Sequence, residues 1–140
     1  MLAASMAQPV PPRLATAINE RVLAYLRDKS AHSDIADALL EAVHGLGDVE
    51  MFCPDAAAYR YVLAATNGVV FGVAVGQSTV AFRLDERMRG RALATGGAAY
   101  PECGPDWVAV VQSRPDADWP AVDVKFWARQ AYVYARARPV

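Results

Sequence analysis

The sequence predicts an α+β fold: an antiparallel β-meander sheet with an N-terminal helical pair and a C-terminal helix. Three observations carry this. Residues 59–84 form a long apolar stretch cut by Asn67-Gly68 and Gly76-Gln77, two hairpin-type dipeptides. Before it, apolar residues recur at helical spacing. After it, Val124, Trp127, Ala128, Ala131 and Ala135 make one helical stripe.

Residues 1–12 are a small-residue lead ending in Pro11-Pro12, expected to be disordered; residues 13–140 are expected to form one domain. Leu14, Ile18, Val22 and Leu26 recur every four residues and predict a helix over 13–29. Residues 30–33 break it. Ser33 or Asp34 can cap a second helix with the stripe Ile35, Leu39 and Val43, stopped by Gly45 and Gly47. The pair has a helix–turn–helix outline, a shape common in bundles. Val49 to Phe52 reads as a short strand.

In the meander, Asn67-Gly68 suits a type I′ turn and Gly76-Gln77 a two-residue type II′ turn. Counting outward from both corners pairs Ala64 with Phe71 and Phe71 with Phe82. One sheet face is then Val62, Ala64, Val69, Phe71, Val73, Val80, Phe82 and Leu84, which must be buried. The other carries Tyr59, Tyr61, Leu63, Val70, Gly72, Ala74, Thr79, Ala81 and Arg83. It holds too little charge for a solvent face. It is read as a packed layer, under a helix or a second subunit, or as a shallow ligand groove floored by Gly72 and Ala74 and walled by tyrosines.

Asp85 is a plausible N-cap for a helix to about Ala94, with Met88, Ala92 and Leu93 on its buried side. Gly96-Gly97 ends it. A loop leads to a strand over 107–112, a polar loop spans 113–118, and Pro120 is expected in the first turn of the last helix.

No apolar run of the 140 residues approaches the ~20 needed to span a bilayer. No charged start followed by an apolar segment suggests a secretory signal. The net charge is -1, so nothing global attracts nucleic acid or membrane. Residues 1–58 hold four Lys/Arg against eight Asp/Glu, and the remainder ten against seven, so the second part is mildly basic. The two cysteines, Cys53 and Cys103, match neither a zinc spacing nor a disulfide framework. A cytoplasmic protein without metal or cofactor is expected.

Candidate chemistry is sparse. Cys103 lies in Pro101-Glu102-Cys103-Gly104-Pro105-Asp106, and with His32 or His44 it would make a Cys–His pair. A structural cysteine is the plainer reading, as is dipole compensation for His44 at a helix end. Arg83, Arg87 and Arg91 are spaced by four with Arg89 nearby, which suggests a phosphate-contacting stripe and a rival nucleic-acid reading. Asp116 and Asp118 are expected to cap the last helix. No phosphate-binding Gly loop or nucleophile elbow is present.

The hairpin ending Phe82-Arg83-Leu84-Asp85, a helix, a Gly/Pro loop, the strand Trp107-Val108-Ala109-Val110 and a last helix with Ala131-Tyr132 resemble the MmcQ/YjbR-like and TfoX N-terminal domains over about residues 59–135. The resemblance implies a small α+β domain; some relatives are described as DNA-binding. The chain departs from that pattern at Arg83, where the family has Lys, and at residues 102–106, where it has a His/Asn/Lys segment. The expectation is a binding or interaction module without a catalytic motif, a homo-oligomer built on Tyr59, Tyr61, Gly72 and Ala74. The alternatives are a nucleic-acid binder using Arg83, Arg87, Arg89 and Arg91, and a small-molecule pocket over Gly72 with Cys103 at its rim.

Overall fold

The computed structural model describes residues 10–53, 61–111 and 123–138. Among them an antiparallel sheet runs in the order β1-β2-β3-β4-β6-β5, with β1 Glu50–Phe52, β2 Val62–Thr66, β3 Val69–Val75, β4 Thr79–Arg83, β5 Ala98–Ala99 and β6 Trp107–Val111. The helices are α1 Glu20–Leu26, α2 Ser33–Val43, α3 Glu86–Ala94 and α4 Val124–Arg136. This is the expected α+β class. None of the described helices is long and apolar enough to cross a membrane.

Helices cover both faces of the sheet. Buried residues of α2, α3 and α4 pack with Val62, Phe71, Val80 and Phe82 on one face. Leu14, Val22 and Leu26 pack with Tyr61, Leu63, Val70, Val73 and Trp107 on the other. The central strands are therefore apolar on both sides, every residue of β2 and β3 being buried. Such strands lose the in/out alternation of a one-sided sheet.

The predicted helical pair does not pack as a pair. α1 and α2 contribute to opposite cores. The connector between them runs past the β3–β4 corner, where the Gly76 amide donates to the Ser30 carbonyl (2.6 Å) and the His32 amide to the Gly76 carbonyl (2.8 Å). The predicted long first helix is broken as well. Turns of 3₁₀ helix at Pro12–Leu14 and Ala17–Asn19 precede α1. His32, rather than Ser33 or Asp34, caps α2, its Nδ1 accepting from the Asp34 amide at 3.1 Å.

The meander register differs from expectation in two places. Asn67 and Gly68 have φ of 55° and 75°, as a type I′ turn requires. Thr66 pairs with Val69 and Ala65 with Val70, but Ala64 then pairs with Gly72. Phe71 is the extra residue of a β-bulge. The second corner has three residues, 76–78, because Val75 pairs with Thr79. Beyond the bulge, the alternation of β3 is inverted. Ala74 joins the α2–α4 core and Val73 the α1 core, the reverse of the sequence assignment. Phe71 and Phe82 share one face, as expected.

Asp85 caps α3, accepting from the Met88 amide at 2.8 Å, as the sequence predicts. Leu93, expected inside, is 47% exposed. α4 buries Trp127, Ala128, Ala131 and Ala135 and is capped by Asp123, which accepts from the Phe126 amide. Asp116, Asp118 and Pro120 lie outside the described residues.

Candidate functional site

A cleft opens in the described surface beside α1, and its shape follows from how the leading segment is fastened. The β3–β4 ladder ends at Gly72–Phe82, so the backbone groups of Val70 lie beyond the last pair. Buried polar backbone must find partners elsewhere. Asn19, fully buried, accepts from the Val70 amide through Oδ1 (2.9 Å) and donates through Nδ2 to the carbonyls of Leu14 and Gly68, both at 2.9 Å. Arg83 donates through Nε to the Val70 carbonyl (2.9 Å) and through Nη2 to the Ile18 carbonyl (3.0 Å). Its Nη1 lies 3.4 Å from the Asp106 carboxylate, and the guanidinium stands over the Trp107 ring. Together they hold residues 14–19 against the end of the sheet.

α1 follows at once. Val22 and Leu26 turn inward, leaving Glu20, Ala24 and Arg27 exposed and Leu23 half-buried on the outer side. A cleft of about 1010 Å³ opens here, lined by Val10, Pro11 and Ala17 of the leading segment, by Glu20, Leu23, Ala24 and Arg27, and by Tyr61. Nearby, the hydroxyls of Tyr25 and Tyr100 meet at 2.7 Å with their rings edge to face, tying α1 to the loop after β5. Burial and this hydrogen bond push the Tyr100 phenol well above its usual range.

The expected sheet-face site is not formed. Tyr61, 7% exposed, lies in the core beneath α1. Gly72 and Ala74 are on the other side: a Cβ on Gly72 would meet the Phe82 ring at 3.0 Å and Leu39 Cδ1 at 3.3 Å, and Ala74 belongs to the α2–α4 core. The bulge at Phe71 separates them from Tyr61, and both faces are filled by the chain's own helices. Tyr59 lies outside the described residues.

The arginine stripe also dissolves. Arg83 is 5% exposed, and its side chain is spent on Val70, Ile18 and Asp106. Burial pulls its pKa down while Asp106 opposes this. Arg89 donates to the Leu84 carbonyl, Arg91 stands over the Phe126 ring, and Arg87 is exposed. The four do not share one face.

Cys103 is 2% exposed, and burial, helped by Glu102, pushes its thiol up to about 12. At neutral pH it is a protonated thiol, not the thiolate that nucleophilic chemistry needs. His32 and His44 sit at the two ends of α2, where they act as caps. Among the described residues, no three His, Cys, Asp or Glu side chains gather as a metal site would require.

Sequence reasoning missed the outer face of α1. Its signal was present: once Val22 and Leu26 are assigned inward, Leu23 and Ala24 remain as an apolar patch between Glu20 and Arg27. Comparisons with family models, curated proteins and solved structures find no match to the chain.

Proposed function

We propose that the protein is an interaction module that self-associates through the α1 cleft. One observation carries the reading: the cleft is open, and its lining is mainly apolar, with Glu20 and Arg27 as its charged groups. An open, mainly apolar lining of this kind suits burial against another protein surface. The YjbR-like assignment belongs to the same proposal. It is supported by the order hairpin, α3, loop, β6 and α4, in which the resembling residues fall. A cytoplasmic setting fits the two buried cysteines, neither of which forms a disulfide.

The reading is tested by solution mass across a wide concentration range. Light scattering is expected to show a dimer that dissociates on dilution. Ala24→Asp, which places a charge at an exposed position of the cleft lining, is expected to give a monomer with an unchanged circular dichroism spectrum. A wild-type chain that stays monomeric at every concentration would refute the proposal.

A further inference from the structure

We infer that a second pocket, on the other face of the sheet from α1, binds a free amino acid with an apolar side chain. It lies where the end of α3, the strand β6 and the start of α4 meet, and it encloses about 420 Å³. Of its lining, Ala92, Val110 and Trp127 belong to the α2–α4 core and Phe126 packs against that core. Leu23 and Tyr61 of the α1 cleft belong with the opposite core. The pocket is therefore separate from the surface proposed for self-association, and the inference goes beyond that reading.

The carrying observation is a pair of opposite charges that share this pocket without joining. Arg91 comes from the last turn of α3, and Asp123 is the cap of α4. Both are exposed, so a ligand reaches them from solvent. Phe126 holds them apart. Its ring lies under the Arg91 guanidinium, 5.6 Å from centre to carbon, and its amide donates to Asp123 Oδ1 at 3.0 Å. Among the described residues neither charge enters an ion pair. The ring contact leaves the N–H donors of Arg91 unspent, and the cap uses one carboxylate oxygen of two.

The two poles select the ligand. A simple anion drawn to Arg91 also faces Asp123, and a simple cation drawn to Asp123 also faces Arg91. A zwitterion answers both, its carboxylate accepting from the guanidinium and its ammonium donating to the spare oxygen of Asp123. Its side chain is left to Ala92, Val110, Trp127 and the Phe126 ring, which suit an aliphatic or aromatic group. The volume is near the lower end of the range for ligand sites, about 300–1,000 Å³. That suits one amino acid rather than a peptide.

Ligand-observed NMR titration with L-leucine and its two blocked forms tests this. N-acetyl-L-leucine keeps only the carboxylate, and L-leucine methyl ester keeps only the ammonium. L-leucine is expected to bind about tenfold or more tightly than either, the worth of one charge-assisted contact. Asp123→Asn keeps a capping side chain and is expected to weaken L-leucine about tenfold while N-acetyl-L-leucine binds no worse. Arg91→Gln is expected to weaken L-leucine by a similar factor while the methyl ester binds no worse. No saturable binding of L-leucine or of L-phenylalanine would overturn the inference. Equal affinity for L-leucine and its blocked forms would overturn it too, as would a variant that weakens all three alike, because the two charges would then not be reading the ligand.

Discussion

Gly72 is a position where one added methyl group would crowd the core. The bulge turns it toward Phe82 and Leu39, and a Cβ there has no room without moving the Phe82 ring. Gly72→Ala is expected to cost about 1–3 kcal/mol by overpacking, read from the urea midpoint. A change within experimental error would show that the ring yields freely. Gly72 also shows what the sequence did not disclose. A glycine inside a strand pattern is a bulge signal, yet nothing in Val69-Val70-Phe71-Gly72 says which residue is the extra one. The local apolar character is the same either way, and tertiary packing makes the choice. Arg83 is a similar case, since an arginine at a strand end reads as surface until the unpaired backbone of Val70 and Ile18 is seen beside it. Cys103 gives a pH dependence with a definite sign. Its thiol rises from the ordinary 9.0 to about 12 in the folded chain. The unfolded chain therefore ionises first, and stability present below pH 9 is lost progressively as pH rises through about 12. Tyr100 shifts in the same direction. The urea midpoint is expected to fall above pH 9, and to fall less steeply in Cys103→Ala.

At the level of elements, local signals with a mechanism were legible, and partner choice was not. The Asn67-Gly68 corner, the Asp85 cap and the buried stripe of α4 all appear as the residues dictate, because each depends on neighbours within a few positions. Asp85→Ala removes the acceptor for the Met88 amide and is expected to destabilise the protein by about 1 kcal/mol, with Asp85→Asn retaining most of that. Equal midpoints for both variants and wild type would show that α3 is held by packing alone. The placement of α1 and α2 was hidden for a different reason. An amphipathic stripe states that a helix must be covered, but does not state by what. A sheet that is apolar on both faces accepts either helix on either side. Of the covers expected for the second sheet face, the chain's own helix is the one found over Tyr61, Leu63, Val70 and Ala81, while Gly72 and Ala74 fall on the α2–α4 side.

For the whole molecule, the consequence of two cores on one sheet is mutual dependence. β2, β3 and β4 supply side chains to both cores, so neither core can open while the other keeps its wall. Trp107 lies in one core and Trp127 in the other. In a Trp119→Phe background, Trp107→Phe and Trp127→Phe leave one reporter each. Within each variant, fluorescence and far-ultraviolet circular dichroism are expected to give one coincident urea transition. Separate transitions would mean that the layers unfold independently.

Among the described residues the borders of the sheet are also its shortest pieces, three residues in β1 and two in β5. A strand that short gives an incoming chain little to copy, and each border piece covers part of its neighbour's flank, β1 over residues 63–65 of β2 and β5 over 108–109 of β6. Fibre growth from the intact fold is thereby given only a short template at those borders. The route to it begins when a border piece peels away, which makes the stretches beside β1 and β5 the places to reinforce against clumping during storage.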